Sequence, residues 1–299
     1  MLSKTVSFFL ILLLGVIFRK TGCLSASVRD ALTKILIYVT LPSAILVSFS
    51  VEAFDRSYLW IIAVGFFLNL FMIGLGLVIS RGQSVRERVT ACLSMTGYSI
   101  GSFALPFTQA FLPGRLLSVV CLFDFGNALM TLGGTSILVS KIFCREYDEE
   151  SFGFFRKLLS SPSLIIELIM INLLLLGCHV PDPVVAIAEP LANANFFLSF
   201  FLVGSLLRFD ISKAQLYLIG KYQIVRILYV LTFSMLFYMV LPFERDVVLA
   251  VILASCSPIS IMSTIYVEQY GGDSCVAGLT GSINVFFSII MMFLVLAFF

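Results

Sequence analysis

The chain is written in long apolar runs cut by short charged clusters. A bilayer core about 30 Å thick needs roughly 20 mostly apolar residues per helix, and cutting the sequence at its charged clusters predicts ten such spans. Five fall at 3–18, 31–50, 58–79, 89–111 and 115–140, and five near 162–179, 184–207, 215–241, 246–267 and 274–298. The one extended polar stretch runs from Lys141 to Ser161. It splits the chain into a first five-helix repeat (1–141), a cytoplasmic connector (142–161) and a second five-helix repeat (162–299). An odd number of spans per half forces the halves into opposite orientations if they share a fold, which is the arithmetic of an inverted repeat. The expected fold class is therefore an all-α integral membrane protein built from two inverted repeats.

Composition agrees with lipid as the solvent. Of 299 residues, 60% are hydrophobic and 12% charged, with a mean hydropathy of +1.08. Soluble domains carry about 25% charged residues, and a chain this size still exposes a large surface that would have to be polar in water. The amino terminus could pass for a signal peptide, with Lys4 before an apolar run, but Arg19 and Lys20 follow at once without a small-residue cleavage site. A retained first helix is expected.

Loop cations set the orientation. Alternate connectors carry Arg19, Lys20, Arg29 and Lys34; then Arg81, Arg86 and Arg88; then Lys141, Arg145, Arg156 and Lys157; then Arg208, Lys213 and Lys221. The opposite side has only Lys4, Arg56, Arg115 and Arg245. Both termini are expected outside, with the central connector in the cytoplasm.

Several function classes fall away. The seven cysteines are scattered, odd in number and without a CxxC pair, so they suggest neither a disulfide framework nor a zinc site, and most should be small apolar fillers. A single histidine, His179, leaves little capacity for histidine-ligated metal chemistry. There is no Ser–His–Asp set and no GxxxxGK[ST] phosphate loop. No cofactor or metal is expected, and a net charge of +2 gives no reason to expect nucleic acid.

The chemistry concentrates at two prolines. Pro106 lies in the fourth predicted span of the first half and Pro258 in the fourth of the second, at similar distances from the start of each half. Proline removes a helix hydrogen bond and clashes with the preceding turn. Irregular backbone survives in a bilayer only where protein buries it or a cavity takes it, so paired interruptions at corresponding positions point to a binding site. Around the first the sequence reads TGYSIGSFALPFTQAF (96–111), with Ser102 before Pro106 and Gln109 after it. Gly97 and Gly101, four apart, fit helix packing equally well. Around the second, ASCSPISIMST (254–264) places Ser257 and Ser260 beside Pro258.

Three further residues complete the candidate set. Asp124 sits in an apolar context, where an ionised carboxylate is costly, and is a proton-coupling candidate; the alternative is a hydrated position or a salt bridge to Arg115. Asn127 lies one turn away, and Asn195 is the deeper of two amides in the seventh span. Glu167 reads as a structural partner for a connector lysine, and Arg226 as a side chain that snorkels inward.

LPSAIL (41–46), TGYSIGSFALPF (96–107), LFDFGNALMTLGGT (122–135) and SPISIMSTIYVEQYGGD (257–273), in that order, resemble the auxin efflux carrier family of bacterial and plant transporters. The resemblance implies a scaffold domain, a transport domain with crossed broken helices, homodimerisation and movement of small organic anions such as auxin or carboxylates. Two departures are a central loop of about twenty residues and Ser102 where many members carry Asn. The expected function is a plasma-membrane transporter or uniporter working by alternating access. Substrate contacts would come from Ser102, Pro106, Gln109, Asn127, Asn195, Ser257, Pro258 and Ser260. A sodium symporter resembling the bile-acid carriers and a ligand sensor are the alternatives.

Overall fold

A computed structural model describes residues 2–50, 55–143, 151–207, 213–240 and 243–298. Every named element among them is helical. In chain order these are α1 (Leu2–Lys20), α2 (Ala26–Ile35), α3 (Leu41–Ser48), α4 (Trp60–Ile79), α5 (Val85–Leu93), α6 (Leu105–Phe111), α7 (Arg115–Leu129) and α8 (Thr135–Phe143). They continue as α9 (Ser151–Leu159), α10 (Pro162–Leu175), α11 (Asp182–Leu206), α12 (Lys213–Val240), α13 (Arg245–Ser255), α14 (Ile261–Gln269) and α15 (Ser274–Phe298). Connector residues 144–150, and the loop cations Arg145 and Arg208, lie outside the described residues.

Among the described residues, six helical stretches are long and apolar enough to cross a membrane: Ala26–Ser48, Arg56–Ile79, Arg115–Phe143, Asp182–Leu206, Leu216–Val240 and Ser274–Phe298. A seventh is added if the bent pair Gly153–Leu159 and Pro162–Leu175 counts as one span. That is fewer than the ten spans expected from hydropathy, and each shortfall has a cause. α1 carries Lys4, Arg19 and Lys20. The fourth and ninth expected spans are each divided into half-helices, α5 with α6 (9 and 7 residues) and α13 with α14 (11 and 9 residues). At 1.5 Å per residue none of these halves reaches across a core of about 30 Å. Large apolar side chains such as Phe67, Ile187 and Met239 are exposed along the long helices, as fits a multi-pass membrane protein.

The chain forms two compact units. Unit 1 contains Met1–Tyr58, Ile100–Leu122 and Ser161–Leu207; unit 2 contains Leu59–Ser99, Phe123–Ser160 and Arg208–Phe299. Each unit therefore draws on both sides of the connector, and the sequence halves 1–141 and 162–299 interleave.

In unit 1, α1, α3 and α6 all pack on α11. Lipid offers helices no hydrophobic incentive to associate, so close backbone approach has to provide the contact. A Cβ built on Gly15 of α1 would lie 2.1 Å from the Phe201 carbonyl oxygen, and one on Gly204 of α11 would lie 2.2 Å from that of Leu12. The two glycines thus admit each other's helix. Above this seam the Phe8 ring meets Phe200 edge-on at 4.5 Å and Phe107 at 5.8 Å. Unit 2 repeats the device with Gly65 of α4 and Gly126 of α7, whose added Cβ atoms would sit 2.2 and 1.9 Å from the carbonyl oxygens of Phe123 and Ile62.

Proline behaves differently from expectation. Pro106 sits in the first turn of α6 and follows a five-residue π turn, Ile100–Ala104; Pro42 sits in the first turn of α3 after another, Leu36–Thr40. A prolyl nitrogen cannot donate to the carbonyl four residues back, and the wider π turn absorbs that missing bond without ending the helix. The first interruption is therefore at Ser94–Ser99, where Gly97 takes φ +79°, not at Pro106. The cysteines also depart from the expected filler role: Cys92, Cys121 and Cys256 are buried, whereas Cys23, Cys178 and Cys275 are exposed, and Cys144 is outside the described residues.

Replacing Gly15 or Gly204 by Val should cost about 1–3 kcal/mol through overpacking against backbone that cannot give way. Thermal unfolding of the purified protein should show both variants melting lower. Gly74→Ala, with nothing within 4 Å of the added Cβ, should melt like the native chain.

Candidate functional site

The two interruptions meet inside unit 2. α5 ends at Leu93 and α13 at Ser255, and each continues into a short extended segment before helix resumes at Ile100 and Ile261. These segments pair as an antiparallel bridge centred on Tyr98 and Ile259. Ser99 N–H donates to Pro258 O at 2.8 Å, and Ser260 N–H donates to Gly97 O at 3.1 Å. Gly97 is needed twice over: its φ is positive, and a Cβ there would approach Ser263 Oγ to 2.9 Å and Ser260 Cβ to 3.3 Å.

Two backbone hydrogen bonds leave the remaining groups of the crossing unpaired, and buried backbone must find partners. Side-chain amides supply them. Asn127 of α7 holds Tyr98 from both sides, with Oδ1 accepting its N–H at 3.0 Å and Nδ2 donating to its carbonyl at 2.9 Å. Asn69 of α4 accepts the Gly97 N–H at 2.8 Å and donates to Asn127 Oδ1 at 3.2 Å. On the other strand, Asn284 of α15 accepts the Ile259 N–H at 2.9 Å and donates to Gln223 Oε1 at 2.8 Å, while Gln223 Nε2 donates to the Thr280 carbonyl at 2.8 Å. Asn127 and Asn284 thus do matching work for the two strands. Ser263 Oγ adds a 2.6 Å bond to Thr96 O.

Arg226 of α12 lies where the two carboxyl-terminal ends converge. It is 3% exposed, so the expected inward snorkelling does not occur. Its Nη1 donates to Met95 O at 2.7 Å and its Nη2 to Ser257 O at 2.8 Å. These carbonyls occupy matching places, each two residues beyond the last residue of α5 or α13. The guanidinium also lies 4.9 Å from the centroid of the Tyr98 ring, in cation–π range. The Tyr98 hydroxyl shares a 2.6 Å hydrogen bond with that of Tyr229, whose ring packs on Phe71 and Phe233.

No protein-family model matches this sequence, and no curated protein matches it.

Unit 2 brings together five of the candidate residues. Pro258 forms part of the crossing through its carbonyl. Ser260 caps α14, its Oγ accepting from Met262 N–H at 3.4 Å. Ser257 is fully buried, and its Oγ has no hydrogen-bond partner among the described residues. Asn127 is committed to the crossing, and its Nδ2 also donates to Asp124 Oδ1 at 3.0 Å. Asp124 is half-buried, so it touches the crossing through Asn127.

The other four candidates belong to unit 1. Pro106 is buried and Ser102 half-buried on the π turn and first turn that lead into α6. Gln109 Nε2 donates to Ala192 O at 3.2 Å. Asn195, fully buried, accepts from Thr40 Oγ1 at 3.2 Å, while its Nδ2 has no partner among the described residues. Glu167 is buried in unit 1 at 1% exposure.

Sequence reasoning passed over Asn69 and Gln223 and discounted Arg226. The signal was available, since an amide or a cation in the middle of an apolar span needs an internal partner. Among the described residues there is no group of three or more His, Cys, Asp or Glu able to hold a metal ion. Outside the spans, Glu87 closes a capping box at α5, and its bonds from the Ser84 hydroxyl and backbone hold its carboxyl below the usual glutamate range.

Asn127→Leu keeps the branching and heavy-atom count of the side chain but leaves the Tyr98 N–H and carbonyl without the partners Asn127 supplies. At about 1–3 kcal/mol per buried orphan, the loss should be roughly 2–5 kcal/mol. Asn284→Leu should lose less, because it frees one backbone group. Thermal unfolding should rank the variants in that order, with Asn193→Leu, at an exposed position of α11, near the native value.

Proposed function

We propose that the chain is a secondary transporter or uniporter for a small organic anion, with the substrate held at the helix crossing of unit 2. The observation that carries the proposal is the crossing itself. Two interrupted helices at corresponding places in a highly apolar chain pair their backbones and are held by dedicated side chains. Such a construction costs more than two continuous helices, and paired interruptions at corresponding places are where transporters of inverted-repeat design hold their substrates.

The amino end of α14 supplies the attraction. Its first-turn N–H groups and the positive end of its dipole favour an anion, and Ser257 and Ser260 stand beside it with hydroxyls to offer. Asn127 acts as scaffolding for the crossing, since its amide is already engaged there. Asp124 is the proton-coupling group.

The wider reading is that of the inverted repeat: ten spans in two sets of five, the broken fourth and ninth being the crossing helices. The resemblance to auxin efflux carriers is of the same kind, and under it unit 2 is the moving transport domain and unit 1 the stationary scaffold. Ser102, Gln109 and Asn195 then belong to the scaffold. The membrane would be the plasma membrane, with both termini outside.

The test is flux into liposomes containing the purified protein, with a panel of radiolabelled mono- and dicarboxylates. Saturable flux is expected, and Ser257→Ala with Ser260→Ala should lower kcat/KM by roughly tenfold or more, the loss of a hydrogen bond to a charged group. An imposed proton gradient should accelerate native flux and leave Asp124→Asn unaffected. Absence of flux for every carboxylate, from protein that melts cooperatively, would overturn the proposal in favour of a ligand sensor or another substrate class.

A further inference from the structure

A helix carries about half a negative charge at its carboxyl end. α5 and α13, of 9 and 11 residues, both bring that end to the same buried place, and each presents a carbonyl oxygen there, Met95 O and Ser257 O. Two such ends amount to about one negative charge in a setting of low dielectric. Converging carbonyls at the ends of half-helices make the kind of nest that coordinates a metal cation in many transporters. Here one guanidinium already fills it. Arg226 donates to both carbonyls from two different nitrogens, at 2.7 and 2.8 Å, and the Tyr98 ring covers it at 4.9 Å.

We infer that Arg226 is a built-in cation that takes the place of a bound metal ion at the two carboxyl ends of the crossing, so that the proposed transport cycle runs without sodium. The charges match: one fixed positive charge against two half-charges of opposite sign. That balance explains how a 3% exposed arginine is tolerated with two carbonyls as its hydrogen-bond acceptors. Two of the guanidinium's five N–H groups are engaged by carbonyls and one face by an aromatic ring at the carboxyl ends of α5 and α13, whereas the anion is assigned to the amino end of α14. The sodium part of this inference rests on the transport proposal; the electrostatic part does not.

The experiment has two arms. In the first, thermal unfolding of the purified full chain is followed for the native protein, Arg226→Ala and Arg226→Gln in sodium, choline and millimolar guanidinium chlorides at matched ionic strength. Native protein should melt alike in all three. Arg226→Ala should melt lower by roughly 5 °C or more, because it leaves two buried carbonyl ends uncompensated. Guanidinium, far below denaturing concentrations, should restore at least half of that loss and choline none. Arg226→Gln retains donors without charge and should resemble Arg226→Ala. A native melting point that rises saturably with sodium would overturn the inference, as would Arg226→Gln melting like the native chain. Where neither variant yields folded protein, the native response to sodium decides by itself. In the second arm, native carboxylate flux should agree within about twofold between sodium and choline media, against the tenfold or greater dependence that a coupled ion imposes. Failure of all flux with the melting pattern intact would sink the transport reading alone; sodium-dependent flux would sink the inference about Arg226.

Discussion

A hydrogen bond that water cannot make governs this molecule. In a bilayer an unpaired backbone group costs several kcal/mol, and a continuous helix avoids that cost without help from any side chain. This chain breaks two helices and must then replace each lost bond individually. The extended segments give two bonds to one another, Asn127, Asn69 and Asn284 cover the groups facing outward, and Arg226 takes the two carbonyl ends. The helices around the crossing, α4, α7, α12 and α15, each contribute one of these groups, so its geometry and the packing of unit 2 depend on each other.

Much of the scaffold could be read from hydropathy because lipid imposes a simple length rule. The stretch at 58–79 against the helical Arg56–Ile79, and 274–298 against Ser274–Phe298, match almost to the residue. Hydropathy could not distinguish one continuous span from two half-helices, since Ser94–Ser99 and Cys256–Ser260 are short uncharged stretches flanked on both sides by apolar sequence. Pro106 drew attention away from Gly97, because proline is a visible helix breaker while a π turn that accommodates it leaves no mark on the sequence. Pro258 does lie at its interruption. The partners of the crossing were harder still: Asn69 and Asn127 are 58 residues apart and Arg226 and Met95 131 apart, and no local pattern links such positions.

The division into units cuts across the chain order for a related reason. Each half of the sequence sends some helices to unit 1 and others to unit 2. In both units the tightest seam is a reciprocal pair of glycines, Gly15 with Gly204 and Gly65 with Gly126. Unit 1 joins the two halves of the chain at its glycine seam, whereas unit 2 joins them at the crossing. Lipid leaves contact area and hydrogen bonds as the forces that hold helices together, and the two units draw on them in different proportions.

The groups that hold the crossing share a chemical property. Asparagine and glutamine amides do not ionise, and a guanidinium keeps its proton across any pH a cell meets. The crossing is therefore indifferent to acidity in its own fabric. Asp124 meets it through the amide of Asn127, and under the proposed proton coupling this contact is where a proton would act on it. Asn127 Nδ2 has two hydrogens and gives one to the Asp124 carboxylate and one to the Tyr98 carbonyl, so neutralising the carboxylate would loosen one anchor of Asn127 and leave the other in place. Under that proposal, acidity would reach the crossing as the loss of one of the two anchors that fix the Asn127 amide.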